Sequence, residues 1–389
     1  MLSTAGPQRA DGGESAPPLA TPAGRSCRAT TARLLGSYVA SRVLILVAAL
    51  LAGLAHPGTT VTQFLSTWDG GWYLAVASHG YPARIPEIGG RATESTIGFF
   101  PLYPMLVRAA SLIVPFSAVV VAILISTACG ATVVLLFYRL ARMFTDRDTA
   151  ERAAILFAFF PGSFVLSMPY TEGLMLALAA VCFLALFQRR WWLAGLSAAL
   201  ATACRPTGLA LAAACAWQAA VAIRQRREWR AIIAPLLAPT GVLAFFLFLK
   251  VRTGEFTAWL RVEKEGWKQG PKLGLWVFQP VARFLDSPFS NRRDTVVALG
   301  LLFAIVSLGV LLWQRWPGAL NVYTLAILAM SANTRLDSVR PRALLTAFPL
   351  IFATAAAARG RRFAYVLAVS AGLLFVLALQ YNTFQLDQI

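Results

Sequence analysis

Phe99-Phe100-Pro101-Leu102-Tyr103-Pro104-Met105-Leu106-Val107-Arg108-Ala109-Ala110-Ser111-Leu112-Ile113-Val114-Pro115 is the stretch on which the topology turns. It is apolar, yet short, and it carries two prolines near its start and Arg108 within it. The residues that follow decide how it is read. If 99–115 crossed the bilayer, the next span, about 117–138, would leave Arg139, Arg142, Arg147 and Arg152 outside, against the cytoplasmic bias of Lys and Arg. Read as a re-entrant or juxtamembrane helix, it returns those arginines to the cytoplasm.

The other apolar runs agree with that choice. Upstream, about 34–55 is long enough to cross roughly 30 Å of hydrocarbon, with Arg42 snorkelling from its cytoplasmic half. The chain therefore emerges outside before Asp69. Downstream, spans at about 153–168 and 171–187 return to Gln188-Arg189-Arg190, and those at about 191–204 and 207–223 return to the basic run from Arg224 to Arg230. A span at about 231–250 leads to a longer outer loop. Further spans at about 295–313, 318–332, 342–358 and 363–381 place Arg315 and Arg359-Gly360-Arg361-Arg362 inside. The expectation is an all-α polytopic membrane protein with about eleven transmembrane helices, a cytoplasmic N-terminus and an outer C-terminus. Residues 1–32, rich in Ala, Gly, Pro, Ser and Thr, are expected to form a disordered cytoplasmic tail. They do not read as a signal peptide, because the apolar stretch comes late and continues to spanning length. Residues 33–389 then form one transmembrane domain, with outer loops at 56–116 and 251–294.

With 58% hydrophobic and 13% charged residues and a mean hydropathy of +0.64, the chain is not an ordinary soluble domain. Its net charge of +18 sits in short arginine clusters between apolar runs, so it reports topology and not a nucleic-acid partner. The five cysteines include no Cys-x-x-Cys pair, and four lie in or beside apolar helices, which favours core packing over disulfides or zinc. His56 and His79 are the only histidines, which argues against a histidine-built metal site. No metal or cofactor is expected.

The first outer loop contains Thr67-Trp68-Asp69-Gly70-Gly71-Trp72-Tyr73-Leu74-Ala75-Val76-Ala77-Ser78-His79-Gly80-Tyr81-Pro82. Asp69 is placed to begin a short helix that runs through Ser78 and stops at Gly80-Tyr81-Pro82. Trp72, Val76 and His79 share one face of it, the pattern of a helix lying in the membrane interface. Asp69 has two readings, an N-cap or a catalytic carboxylate.

The topology brings the other unusual polar residues to the same outer face. They are Pro169-Tyr170-Thr171-Glu172 and Cys204-Arg205-Pro206-Thr207-Gly208 at hairpin tips, the loop from Arg252 to Asp294, and the segment Asn333 to Arg342. Arg205 lies between apolar helices, where a charge is costly unless paired or functional. It is either a snorkelling or salt-bridged residue or a phosphate ligand acting through its guanidinium fork. Arg340 and Arg342 carry the same two readings. Glu172 caps the next helix or is a second acid. Trp68, Trp72, Tyr73, Tyr103 and Tyr170 supply rings for substrate contact.

One carboxylate among cations suits sugar transfer from a lipid phosphate. A base takes the acceptor's hydroxyl proton, while the departing phosphate needs cationic stabilisation more than a general acid. Glycoside hydrolysis would usually want two acids facing the bond.

The set Trp68-Asp69-Gly70-Gly71-Trp72-Tyr73 with His79-Gly80-Tyr81, Phe99 to Pro104, Phe160-Pro161-Gly162-Ser163-Phe164, Pro169 to Glu172 and Arg205-Pro206-Thr207-Gly208 resembles the PIG-V family of GPI mannosyltransferases and its bacterial relatives. The resemblance runs in order from about 34 to 357. It implies a GT-C glycosyltransferase with a polyprenyl or dolichyl phosphate mannose donor, an outward-facing site, inversion at the anomeric carbon and no nucleotide-sugar domain. It also implies that Asp69, matching the family's first-loop acid, is the base, and that 99–104 lies in a juxtamembrane helix. Thr253-Gly254-Glu255-Phe256 with Trp259-Leu260-Arg261 and Trp267 is similar to an outer-loop segment of bacterial relatives. Relatives often carry Arg-Tyr before a Phe-Pro, whereas here Arg342 is followed by Ala343. The implied setting is the cell membrane, and the acceptor is a lipid, polysaccharide or protein. The alternative class is a polytopic lipid or solute transporter or flippase, although no internal repeat of the kind transporters carry is found. A third is a non-catalytic lipid-binding subunit.

Overall fold

A computed structural model of the chain describes residues 22–55, 60–269, 275–334 and 339–382. In chain order its elements are α1 (Pro22–Ala55), α2 (Val61–Leu65), α3 (Asp69–His79), a hairpin of β1 (Glu87–Ile88) and β2 (Arg91–Ala92), α4 (Leu102–Ser111), α5 (Ala118–Ala141), α6 (Arg147–Ala158), α7 (Glu172–Phe187), α8 (Trp191–Cys204) and α9 (Leu209–Arg226). There follow α10 (Ile233–Leu237), α11 (Thr240–Thr253), α12 (Ala258–Glu265), α13 (Leu275–Asp286), α14 (Arg292–Trp313), α15 (Gly318–Ala332), α16 (Pro341–Thr346), α17 (Pro349–Ala357) and α18 (Gly360–Asn382). The antiparallel hairpin, with Glu87 opposite Ala92, is the only β structure among the described residues.

In hydrocarbon, backbone polar groups must be bonded within the protein, and a helix does this locally. Among the described residues, six helical stretches are long and apolar enough to cross a membrane: Arg28–Leu54, Ala118–Ala141, Pro206–Arg226, Trp229–Thr253, Arg292–Trp313 and Gly360–Tyr381. A seventh results if α6 and the 3₁₀ turn Pro161–Ser167, bent by 68°, count as one span. The helices α7, α8 and α15 are apolar but shorter. The sixteen residues of α7 rise only about 24 Å. All eleven expected runs contain helix, and six or seven helical stretches among the described residues have by themselves the length and apolarity of a full crossing. The run 342–358 is divided into α16 and α17, because Pro349 has no N–H with which to continue the first helix. The ten residues of α4 rise only about 15 Å, so 99–115 does not cross, in agreement with the charge argument.

Two expectations need correction. Residues 22–32 belong to α1 and not to a tail, and Thr30 and Arg33 on that helix both bond Glu151 of α6, at 3.0 and 2.6 Å. Residues 1–21 lie outside the described residues. Arg42 does not snorkel: its guanidinium turns inward and donates to Ala158 O, Ser163 O, Ser163 Oγ and Ser167 Oγ at 2.7–3.2 Å. It thereby satisfies carbonyls that the bend between α6 and the 3₁₀ turn leaves without helical partners.

Buried rings fill the bundle centre, where Phe137 stacks on Phe348 at 4.2 Å and Phe183 and Tyr323 pack nearby. Successive helices give the bundle two unlike ends. Glu172 starts α7 and Arg189-Arg190 follow its C-terminus; α8 then returns to Arg205, and α9 runs back to Arg224 and Arg226. At the Glu172 end, α12 docks on the first loop. Trp259 Nε1 donates to Gly98 O (3.1 Å), Glu265 accepts from the Ala92 N–H (2.7 Å), and Arg261 pairs with Glu87 (2.8 Å).

Candidate active site

Asp69 is the first residue of α3, and its predecessor Trp68 holds the cap position with φ at 59°. A side-chain-bearing residue in that region costs about 1–3 kcal/mol, a strain that the surrounding packing must over-determine. Asp69 is not the cap. Its carboxylate reaches across to Arg342 instead, with Oδ2 2.6 Å from Nη1. The helix ends as expected at Gly80, whose φ of 74° suits a residue without a Cβ. The face expected to lie in the membrane interface is turned inward in part. Val76 is buried, and Trp72 stacks on Phe99 (5.8 Å) and meets the edge of Trp267 (5.3 Å).

Three charged side chains, Glu172, Arg205 and Arg342, converge beside Asp69. Glu172 Oε1 accepts from both Arg205 Nη1 and Arg342 Nε, and Glu172 is wholly buried. Thr171, not Glu172, is the cap of α7. Glu172 is therefore not the cap, but the carboxylate behind two guanidinium groups. Pairing of this kind keeps buried charge tolerable, since an unpaired ion away from water is far more costly. Arg205 Nη1 reaches Thr171 Oγ1 (3.3 Å), whose hydroxyl meets Tyr73 OH (3.3 Å). Burial pushes the Tyr73 phenol above its ordinary range, with Arg205 as a smaller opposing influence, so the group stays a neutral hydroxyl. The Arg342 guanidinium lies 4.7 Å over the Tyr170 ring, and Tyr170 OH donates to Thr67 O and shares a hydrogen bond with Tyr381 OH.

These groups open on a cavity of about 760 Å³. Asp69, Arg205, Arg342, Trp68 and Tyr73 line it, joined by Trp259, Lys264 and Trp267 from the docked second loop and by Asn333 and Thr334 after α15. The other sequence candidates do not line it. Tyr170 lies under Arg342; Trp72 is in the aromatic stack; Tyr103 is buried and bonds Ala122 O (2.9 Å) and Ser126 Oγ (2.8 Å); Arg340 is buried away from the cavity. These four residues stand beside or behind the cavity lining. Arg335 to Ser338, grouped with this face from sequence, lie outside the described residues. Tyr381, which does line the cavity, was not singled out, because a tyrosine near the end of an apolar helix reads as an interfacial anchor. Lys264 carried no signal beyond its place in the second loop.

The family model for mannosyltransferase (PIG-V) matches residues 56–251. The chain belongs to the PIG-V mannosyltransferase family. The matched region contains Asp69, Glu172 and Arg205, while Arg342 and Tyr381 lie beyond it; it is narrower than the 34–357 expected from the motifs. Among curated relatives of this PIG-V chain, GPI mannosyltransferase 2 of Drosophila pseudoobscura pseudoobscura is 30% identical over 169 residues, 34% of this chain and 35% of that protein. The match thus spans about a third of that relative's length. Among solved structures, the Archaeoglobus fulgidus oligosaccharyltransferase in its apo form aligns with a TM-score of 0.48 and 15% identity, over 88% of this chain and 56% of that one. Oligosaccharyltransferase AglB from the same organism, in complex with an inhibitory peptide and a dolichol-phosphate, aligns with a TM-score of 0.48 and 13% identity, over the same shares.

Proposed function

We propose that the chain transfers mannose from a polyprenyl phosphate donor to an acceptor hydroxyl on the extracytoplasmic face of the cell membrane, with inversion. The observation that carries this reading is the Asp69–Arg342 pair in one cavity with Arg205, an acid able to take a proton beside cations able to hold a phosphate. The acceptor oxygen bonds to the anomeric carbon from the side opposite the phosphate, and its proton passes to the Asp69 carboxylate. The bond from that carbon to the phosphate oxygen breaks, and its electron pair leaves with the phosphate. A phosphate monoester is a stable anion, so Arg205 and Arg342 act by charge and by fork-shaped donation. Without donor, Arg342 is shared between Asp69 and Glu172. A donor phosphate competes for Arg342 and releases Asp69 to the acceptor, while Glu172 keeps both arginines in place. The rings of Trp68, Trp259 and Trp267 offer faces for the sugar and the start of the prenyl chain.

The test is label transfer in membranes expressing the chain, with polyprenyl phosphate [¹⁴C]mannose or GDP-[¹⁴C]mannose as donor and chain-free membranes as blank. The expected result is transfer from the lipid donor above the blank, without dependence on the nucleotide sugar. Lipid movement across proteoliposomes without any sugar transfer would replace this reading with that of a transporter.

A further inference from the structure

A second cavity, of about 850 Å³, lies behind an aromatic partition from the first. Phe100 lines the first cavity and Phe245 the second, with their rings 4.8 Å apart. The second is a groove between α4, α8 and α11. Helices α8 and α11 touch closely, since a Cβ on Gly241 would lie 1.9 Å from Ala199 O. Alongside that contact, Ala203 and Ala244 leave a channel walled by Leu200 and Phe248. Phe248 and Leu196 are exposed on the flanks of apolar helices, so the groove opens on the surface that faces hydrocarbon. Its basic groups His79, Arg108 and Arg252 stand together at one end, while Thr240, which starts α11, lies at the other and donates its hydroxyl to Leu237 O (2.7 Å). Arg252 donates to Tyr81 O from Nε and Nη2 (3.2 and 3.0 Å), and Arg108 donates to Ala77 O (3.5 Å). Neither has a carboxylate partner among the described residues.

We propose that this groove holds one chain of an anionic bilayer phospholipid, with its phosphate between Arg108 and Arg252 and His79 as a further donor. Charge complementarity selects the occupant. An apolar channel with cations at one end matches an amphiphile with one anionic end, and basic pockets between membrane helices are where anionic headgroups lodge. The location ties the lipid to the first cavity. Arg108 holds the Ala77 carbonyl in the last turn of α3, the helix that begins with Asp69, and Arg252 holds the Tyr81 carbonyl just past its cap, so an occupied groove fixes the end of that helix. This inference does not depend on the mannosyl-transfer reading.

Native mass spectrometry of the purified full chain, titrated with dioleoylphosphatidylglycerol or dioleoylphosphatidylcholine, tests it. The glycerol lipid is expected to bind roughly 25-fold more tightly, about fivefold for each arginine. The double variant Arg108→Gln/Arg252→Gln loses that preference, Arg108→Lys/Arg252→Lys keeps it, and Ala244→Phe, which fills the channel, weakens both lipids. Equal binding of the two lipids by the wild type, or a preference unchanged in the glutamine variant, overturns the proposal. Displacement of the lipid by millimolar inorganic phosphate alone, or selective uptake of a polyprenyl phosphate in place of phosphatidylglycerol, also overturns it by assigning the pocket to another ligand.

Discussion

Glu172 accepts two guanidinium groups on one buried oxygen, and Arg342 spans from there to Asp69. Three elements distant in sequence thus meet through one carboxylate. Removing its charge leaves two cations buried beside a neutral amide, and breaking a buried pair in this way costs about 3–5 kcal/mol. Glu172→Gln should therefore lower the thermal midpoint of the detergent-solubilised protein substantially, by scanning fluorimetry; an unchanged midpoint would show that the arginines are compensated elsewhere. The sequence marked Asp69, Arg205 and Arg342 as unusual because charges beside apolar runs are costly. It left Glu172 open between a helix cap and a second acid, because an acid at the start of a helix looks the same whether it caps the helix or anchors arginines from two other segments. It passed over Tyr381, whose neighbours come from residues hundreds of positions away.

At the scale of elements, the site depends on a bend. The 3₁₀ turn Pro161–Ser167 follows α6 at 68°, Arg42 satisfies the carbonyls exposed there, and Gly162 lets the backbone of Pro341 come into contact. A Cβ at Gly162 would lie 2.0 Å from Pro341 O. Gly162→Ala must push α16 away and carry Arg342 with it, at a cost of about 1–3 kcal/mol for overpacking. Transfer activity should fall more than expression does; normal activity would mean that α16 tolerates the shift. The docking of α12 on the first loop is the second such contact. The Ala92 N–H, and then Arg261, hold the Glu265 carboxyl below its ordinary range. A carboxyl lowered in the folded state adds stability above its unfolded value of about 4.3, and that stability is lost as the pH falls. Amide exchange at Ala92, corrected for its intrinsic rate, should accelerate from pH 6 to pH 3 in the wild type, chiefly below about pH 4.3, and be nearly flat in Glu265→Gln. Identical pH profiles would remove Glu265 from the docking. Neither contact was legible in the sequence, because a broken helix has the same composition as a straight one and a short amphipathic loop helix does not name what it covers.

For the whole molecule, hydropathy and arginine spacing located every apolar run, and the charges correctly kept 99–115 out of the spans. Among the described residues, six helical stretches, or seven if the bent pair counts as one, have by themselves the length and apolarity of a crossing; an apolar run does not reveal whether its helix is broken or short. The arginine clusters after α7 and α9 lie at the opposite helix ends from Glu172 and Arg205, which supports an extracytoplasmic site. A cysteine at Lys264 should react with an impermeant maleimide on intact cells, and one at Arg226 only after permeabilisation; the reverse pattern would place the site in the cytoplasm. The most direct measurement is mannosyl transfer from labelled polyprenyl phosphate mannose by wild type and Asp69→Asn at matched protein levels. The amide is nearly isosteric but a poor base, so the rate should fall by about 10²-fold or more. Transfer by Asp69→Asn at the wild-type rate would contradict general-base catalysis by Asp69.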